Sequence, residues 1–303
     1  MTAESFSRKS IIITAWVFLL LASSIPMIFM QEVLHQTVDE NLRSTMPAAV
    51  MLVGLALTFL WSAIRRLRPF FILFLVLIGA QWIVYTKVDK LSSYPNWVNH
   101  PSFNVYMLAE QSLNLMVTFA VIAALFILRK RASAFFLVKG DTNAPAEPVN
   151  LLGIKAGDRW KKVGLTFAFF ISLGTLAFLI LAGKPPMDML VRVIPFIPAV
   201  LLAATVNAFT EEVAYKASFL SVLEDVVGKN HALWLMAAYF GLAHFYGIPY
   251  GVIGVLLATF LGWFLGKSML ETRGLWWAWF IHFWQDVWIF LFLAIGSIIP
   301  GGG

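Results

Sequence analysis

The chain has 303 residues, of which 60% are hydrophobic and only 13% are charged. This composition excludes an ordinary soluble protein and predicts a membrane protein. The net charge is +6, but no basic run is interleaved with the polar and aromatic residues of a nucleic-acid surface, so we expect no nucleic-acid partner. Cysteine is absent, which excludes disulfides, thiolate metal ligands and a cysteine nucleophile.

Apolar stretches long enough to cross a bilayer core of about 30 Å recur along the chain. They predict an all-α polytopic membrane protein with about nine transmembrane helices. The first stretch follows Arg8 and Lys9 but is too long for a secretory signal, and no small-residue cleavage site ends it. The predicted spans lie near 11–30, 48–64, 69–86, 107–128, 163–183, 193–227, 231–246, 249–267 and 275–298.

Basic residues in the connections predict the orientation, because Lys and Arg are retained on the cytoplasmic side of a membrane. Alternate connections are rich in these residues and are expected inside. The amino terminus is then cytoplasmic and the carboxyl terminus lies outside. The residues that decide this are Arg8, Lys9, Arg65, Arg66, Arg68, Arg129, Lys130, Arg131, Lys139, Lys155, Arg159, Lys161 and Lys162 inside, against Arg43, Lys87, Lys90, Lys184 and Arg192 outside.

One polar connection, with turn-forming residues and no helical periodicity, divides the chain. We predict a four-helix membrane region of unknown role at 1–130, a cytoplasmic connecting loop at 131–162, and a second membrane region at 163–303. Polar residues are rare inside the first four spans. The exceptions are Gln81, Glu110, Gln111 and Asn114.

The sixth predicted span contains Glu211, Glu212 and Lys216. A charge in mid-membrane costs roughly 2.5–3.5 kcal/mol on insertion scales, so such residues are functional candidates. Glu212 precedes Lys216 by four residues, which predicts a structural ion pair on one helical face. Glu211 has no local cation and lies one turn from Asn207 and Tyr215. The other interpretation, that the glutamates end a span at the headgroups, is disfavoured by the apolar residues that follow.

Histidines enter two further spans. His244 ends the seventh, where a lone histidine is more often a helix–helix contact than a catalyst. His282 and Asp286 share a face of the ninth span, and a carboxylate there can fix the imidazole tautomer. At about 1.5 Å per residue, Glu211 and His244 lie at nearly equal depth. We therefore predict one shared polar site.

These residues resemble the CAAX prenyl protease and bacteriocin-processing (CPBP) family of intramembrane endopeptidases. The family pattern is Glu-Glu-x-x-x-Arg, then Phe-x-x-x-His, then His-x-x-x-Asn or Asp, on three membrane helices. The corresponding residues here are Glu211 and Glu212 with Lys216, Phe240 with His244, and His282 with Asp286. The resemblance covers roughly residues 163–298.

The resemblance implies a helical membrane core with a polar cavity and an acid–base mechanism. Glu211 and His244 would activate water, while His282 and Asp286 would face the scissile carbonyl. The supporting residues are predicted to be Glu212, Lys216, Phe240, Asn207 and Tyr215.

Two residues depart from the family pattern. Lys216 replaces the usual Arg, so it keeps the charge but lacks the bidentate fork. Asp286 stands where an amide would donate to the oxyanion, and an ionised carboxylate would repel it. Either Asp286 is protonated and donates, or it orients His282, which is then the principal donor.

The predicted function is an intramembrane endopeptidase of the glutamate type, without a cofactor. Its expected partners are the lipid bilayer and a membrane peptide or a lipidated protein, as substrate, in the plasma membrane of a prokaryote. A zinc mechanism is the rival, because Glu211, His244, His282 and Asp286 are feasible ligands, although His-Glu-x-x-His is missing. A proton-coupled transporter using the same residues and a non-catalytic scaffold stay open.

Overall fold

A computed structural model describes residues 3–88, 102–128 and 131–298. No β-strand occurs in these three ranges. Helices satisfy their backbone hydrogen bonds internally, as a lipid environment requires. In chain order they are α1 (Ala3–Ala22), α2 (Ile25–Ile28), α3 (Glu40–Leu60), α4 (Arg68–Ile83), α5 (Phe103–Ile127), α6 (Trp160–Gly183), α7 (Met187–Arg192), α8 (Ile197–Glu211), α9 (Ser218–Val227), α10 (Lys229–Ala243), α11 (Val252–Thr272) and α12 (Trp276–Ile298).

Seven helical segments of the described ranges are long and apolar enough to cross a membrane, or eight if one bent pair is a single span. The bent pair, Arg8–Ala22 with Ile25–Val33, turns by 46°, next to Pro26, whose missing N–H interrupts the helical hydrogen bonding. The all-α polytopic fold is thus confirmed. The count is lower than the predicted nine, because the stretch near 231–246 forms a helix of only 15 residues, about 22 Å long.

The first four predicted spans and the second membrane region share one apolar core. Phe74 of α4 contacts Phe219 of α9 and Tyr239 of α10, with ring centroids 5.3 and 5.0 Å away. The division at 1–130, 131–162 and 163–303 stays a prediction, as does the orientation. Lys90, Arg129 and Lys130, which entered the charge count, lie outside the described residues.

The connecting segment 131–162 folds against the junction between α11 and α12. The Asp141 N–H donates to the Thr272 carbonyl at 2.8 Å, and the Leu275 N–H donates to the Val138 carbonyl at 2.8 Å. The indole of Trp277 donates to the Thr142 carbonyl at 2.9 Å. These bonds anchor the segment at the beginning of α12, the helix that carries His282 and Asp286.

A charged network outside the predicted site holds the same segment. The buried Glu271 carboxylate accepts from the Trp160 indole at 2.8 Å and from the Glu147 N–H at 3.1 Å, and it pairs with Lys267. A hydrogen bond from Lys229 holds the pKa of the Glu147 carboxyl below its usual value. The network ties the connecting segment to both α10 and α11.

We expect Gly140→Ala to destabilise the protein more than the matched change Gly153→Ala. Both glycines have positive φ, +76° and +71°, so each alanine suffers the left-handed strain of about 1–2 kcal/mol. A Cβ at Gly140 would also lie 2.5 Å from the Thr272 carbonyl oxygen, whereas a Cβ at Gly153 would meet nothing within 4 Å. Thermal unfolding of the two variants in detergent measures the difference, and equal melting temperatures would contradict tight docking at Gly140.

Candidate active site

Most of the predicted site residues are carried by α12 and by α8 with its continuation, and α8 and α12 lie against each other. Phe240 belongs to α10, and His244 follows it. After Glu211 the chain passes through a widened π-helical turn, Glu212–Ala217, before α9 begins. Such turns occur frequently at functional sites. The regular α-helical spacing assumed from the sequence did not reveal this turn.

Glu212 and Lys216 form the predicted ion pair. Lys216 Nζ lies 2.7 Å from Glu212 Oε1, and both side chains are 0% exposed. The ammonium also lies 3.5 Å from the centroid of the Phe240 ring, a cation–π contact. Lys216 therefore compensates a carboxylate that has no access to solvent.

His282 is the centre of the cluster. Its Nδ1 lies 2.7 Å from Glu212 Oε1, and because a carboxylate accepts, Nδ1 carries the proton of this bond. Its Nε2 lies 3.6 Å from Glu211 Oε2 and 3.5 Å from Asp286 Oδ1. The sequence suggested Asp286 as the orienting carboxylate, but the short hydrogen bond is made by Glu212.

Asn207 joins two of the carboxylates. Its Nδ2 lies 3.3 Å from Glu211 Oε1 and 3.1 Å from Asp286 Oδ2. The Glu211 side chain is 24% exposed, against 4% for Asp286 and 5% for His282. Glu211 is thus the accessible acid of the cluster, while its neighbours are enclosed.

A small cavity of about 60 Å³ opens beside Glu211. Asn207, Thr210, Glu211 and Tyr215 line it from α8 and the widened turn. The other lining residues are Tyr85, Asn114, Val117, Thr118 and Ala214. Tyr215, predicted as a supporting residue, accepts a hydrogen bond from Gln81 at 2.8 Å. Four polar residues of the N-terminal region lie at or beside this cavity. The sequence marks Gln81 and Asn114 as rare polar residues within apolar spans, whereas nothing in the sequence singles out Tyr85 or Thr118.

His244 is joined to this cluster through Phe240. It follows the last residue of α10, and its Nδ1 donates to the Phe240 carbonyl at 2.7 Å. Its ring centroid is 4.5 Å from that of Phe240, whose other neighbour is Lys216. No hydrogen bond between His244 and Glu211 is found within the described ranges. The structure therefore brings Glu211, His282 and Asp286 together and leaves His244 connected to them through Phe240.

The zinc hypothesis requires several ligands around one point. Within the described ranges, no group of three or more His, Cys, Asp or Glu residues is arranged to hold a metal ion. His282 Nδ1 already contacts Glu212, and His244 Nδ1 contacts a backbone carbonyl.

Comparison with known proteins gives one finding. Residues 193–288 match the family described as type II CAAX prenyl endopeptidase, Rce1-like. No curated protein and no solved structure is similar enough to match the chain. The matched range contains Glu211, Glu212, His244, His282 and Asp286, the same residues that carry the resemblance found in the sequence. The resemblance to the CPBP family is thereby confirmed: residues 193–288 of this integral membrane protein are similar to the Rce1-like CAAX prenyl endopeptidases.

Proposed function

We propose that the protein is a glutamate-type intramembrane endopeptidase in which Glu211 activates the attacking water. The observation that carries this proposal is the contrast between two adjacent carboxylates. Glu211 is 24% exposed and lines the cavity of about 60 Å³. Glu212 is 0% exposed and contacts Lys216 and His282. A general base needs access to water, and only the first glutamate has it.

The chemistry follows from this division of roles. Glu211 takes a proton from water as the water oxygen attacks the carbonyl carbon, and it returns that proton to the leaving amine when the C–N bond breaks. With Nδ1 bonded to Glu212, His282 presents Nε2 on the side of Glu211 and Asp286. A proton on Nε2 would donate to the oxyanion. Asp286 accepts a hydrogen bond from Asn207, which also contacts Glu211, so Asp286 helps to hold Asn207 beside the proposed base.

His244 is proposed as the second acid–base group. Because its Nδ1–H is used by the Phe240 carbonyl, a neutral ring offers Nε2 as an acceptor. Phe240 holds both His244 and Lys216, so it sets the distance between the histidine and the glutamate pair.

The substrate is proposed to be a membrane-associated or prenylated peptide. An apolar groove of about 400 Å³ lies one helical turn from His282, and a cavity of this size suits a branched hydrocarbon chain. Trp276 and Trp279 of α12 line it together with Phe209 of α8. The remaining lining residues are Leu137, Val138, Lys139, Thr205 and Leu275.

The groove gives a test of lipid recognition. Val138 is 38% exposed at the groove, so Val138→Trp should fill the groove without entering the core. We expect KM for a prenylated peptide to rise at least about tenfold, equivalent to roughly 1.4 kcal/mol, with kcat little changed. Val138→Ala serves as the matched control and should keep the wild-type KM. An unchanged KM for the tryptophan variant would remove the groove from the prenyl site.

The amino terminus is proposed to be cytoplasmic, in the plasma membrane of a prokaryote. The support is the alternation of Lys and Arg between connections. The groove includes Leu137, Val138 and Lys139 of the connecting segment, so it would then open at the cytoplasmic interface. A prenylated protein made in the cytoplasm would reach it from that side.

The deciding experiment is cleavage of a panel of tagged peptides, prenylated and unprenylated, by the purified full-length protein with and without a chelator. We expect cleavage near the lipidated end that persists in the chelator. Loss of cleavage in the chelator, restored by zinc, would replace the glutamate mechanism with a metal one. Proton flux in vesicles without any cleavage would replace the protease with a transporter.

A further inference from the structure

Four of the nine residues that line the cavity beside Glu211 belong to a part of the chain that the family match does not include. Tyr85 follows α4, and Asn114, Val117 and Thr118 belong to α5, all before residue 193. On α8, Asn207 and Glu211 are roughly 200° and 240° around the helix from Thr205, a residue of the apolar groove. The cavity and the groove therefore lie on different faces of α8.

Polar side chains from the N-terminal helices face this cavity at a depth where polarity is costly. Tyr85 donates a hydrogen bond to Asn114 Oδ1, and the Thr118 hydroxyl donates to the Asn114 carbonyl at 3.0 Å. Gln81 of α4 donates a hydrogen bond to the Tyr215 hydroxyl at 2.8 Å. Two helices outside the family match thus present an arranged set of amide and hydroxyl groups to the base.

The dimensions and chemistry of the cavity suit water. A single water needs roughly 10–15 Å³ of such space and two to four polar partners. The cavity has about 60 Å³ and is lined by the Glu211 carboxylate, two amides, and the hydroxyls of Tyr85, Thr118, Thr210 and Tyr215. It shares no lining residue with the apolar groove, so it lies apart from the proposed lipid site.

We propose that this cavity is the water chamber of the protease, and that the N-terminal half completes the active site by supplying Asn114 as a positioning residue for the attacking water. The inference rests on the proposed function for its catalytic part. A water molecule is held between Asn114 and Glu211. It loses a proton to Glu211 as its oxygen adds to the carbonyl carbon from the cavity side. The next water enters from the chamber after the amine has left with that proton.

The kinetic test compares three variants of α5 in the full-length protein. Asn114→Leu keeps the approximate volume but removes the polar groups, and we expect kcat to fall at least tenfold with KM within about twofold, because the substrate binds elsewhere. Asn114→Ser keeps a hydroxyl and leaves room for water, so it should retain at least a third of kcat. Asn104→Leu makes the same chemical change on an exposed part of α5 and should match wild type. Two results for Asn114→Leu would overturn the positioning role. One is a wild-type kcat, and the other is a fall in kcat/KM that comes entirely from a higher KM.

A second measurement tests the chamber without any proteolysis. The chain contains no cysteine, so Asn114→Cys and Phe119→Cys each create a single thiol on α5. Phe119 is 59% exposed on the outer, lipid-facing surface of the helix. A small water-soluble methanethiosulfonate needs the thiolate, so it should modify the cysteine at 114 at least ten times faster than that at 119. Equal rates would overturn the chamber, whereas fast labelling of a protein that cleaves no peptide would keep the chamber and reject the protease.

Discussion

Glu211→Gln should lower kcat by about 10²–10⁴-fold, the effect of losing an acid–base group, while the protein stays folded. The amide keeps the volume of the side chain and can still contact Asn207, but it cannot take a proton from water. Because Glu211 is partly exposed and pairs with no lysine or arginine among the residues that the structure describes, neutralising it leaves none of these cations without a partner. Cleavage of the tagged peptide, with melting temperature measured alongside, checks both halves of the expectation.

Glu147→Gln is the control for removal of a glutamate charge. Glu147 is 63% exposed and lies in the charged network outside the site, so this variant should cleave at the wild-type rate. A folded Glu211→Gln protein that still cleaves efficiently would show that another group is the base. In that case Asp286, the other carboxylate near His282 Nε2, becomes the candidate.

His244→Ala gives a further check on the same prediction. If His244 and Glu211 act as one unit, the double variant should lose much less than the product of the two single losses. If the losses multiply, the two residues act independently.

Lys216→Ala should destabilise the protein by roughly 3–5 kcal/mol, the cost of leaving a buried charge without its partner. Glu212 is 0% exposed, and its Oε2 is buried without a hydrogen-bond partner in the described structure. Without the ammonium, Oε1 would keep only the hydrogen bond from His282. Folded yield and thermal unfolding in detergent measure the loss.

Lys162→Ala provides the matched control, since Lys162 also pairs with an acid four residues away. That pair, with Asp158, is exposed, with 75% of the Lys162 side chain accessible, so its removal should cost no more than about 0.5 kcal/mol. Equal stability losses in the two variants would mean that the position of Lys216 in the membrane core does not matter, and the structural role of the pair would be rejected. Lys216→Arg, which restores the residue of the family pattern, should recover most of the stability if the surrounding space accepts the larger head group.

Contacts between near neighbours in the chain were readable from the residues alone. The Glu212–Lys216 pair and the Asn207–Glu211 contact both join residues four apart, and helical geometry places such residues on one face. The all-α membrane fold followed from composition, because only helices satisfy the backbone over so many apolar stretches. The grouping of His282 and Asp286 with Glu211 followed from the family pattern.

Contacts between distant segments depended on how the helices pack. His282 takes Glu212 and not Asp286 as its close partner because α12 packs on α8, which places the imidazole beside the first residue of the widened turn. His244 is joined to the cluster through the Phe240 ring, because it follows the last residue of α10 and lies one helical turn after Phe240. Gln81 and Asn114 reach the site only because α4 and α5 pack on α8 and α9. Helical periodicity relates residues within one helix, but the rotation and depth of one helix against another are set by side-chain packing across the whole core, and that information is spread over residues far apart in the chain.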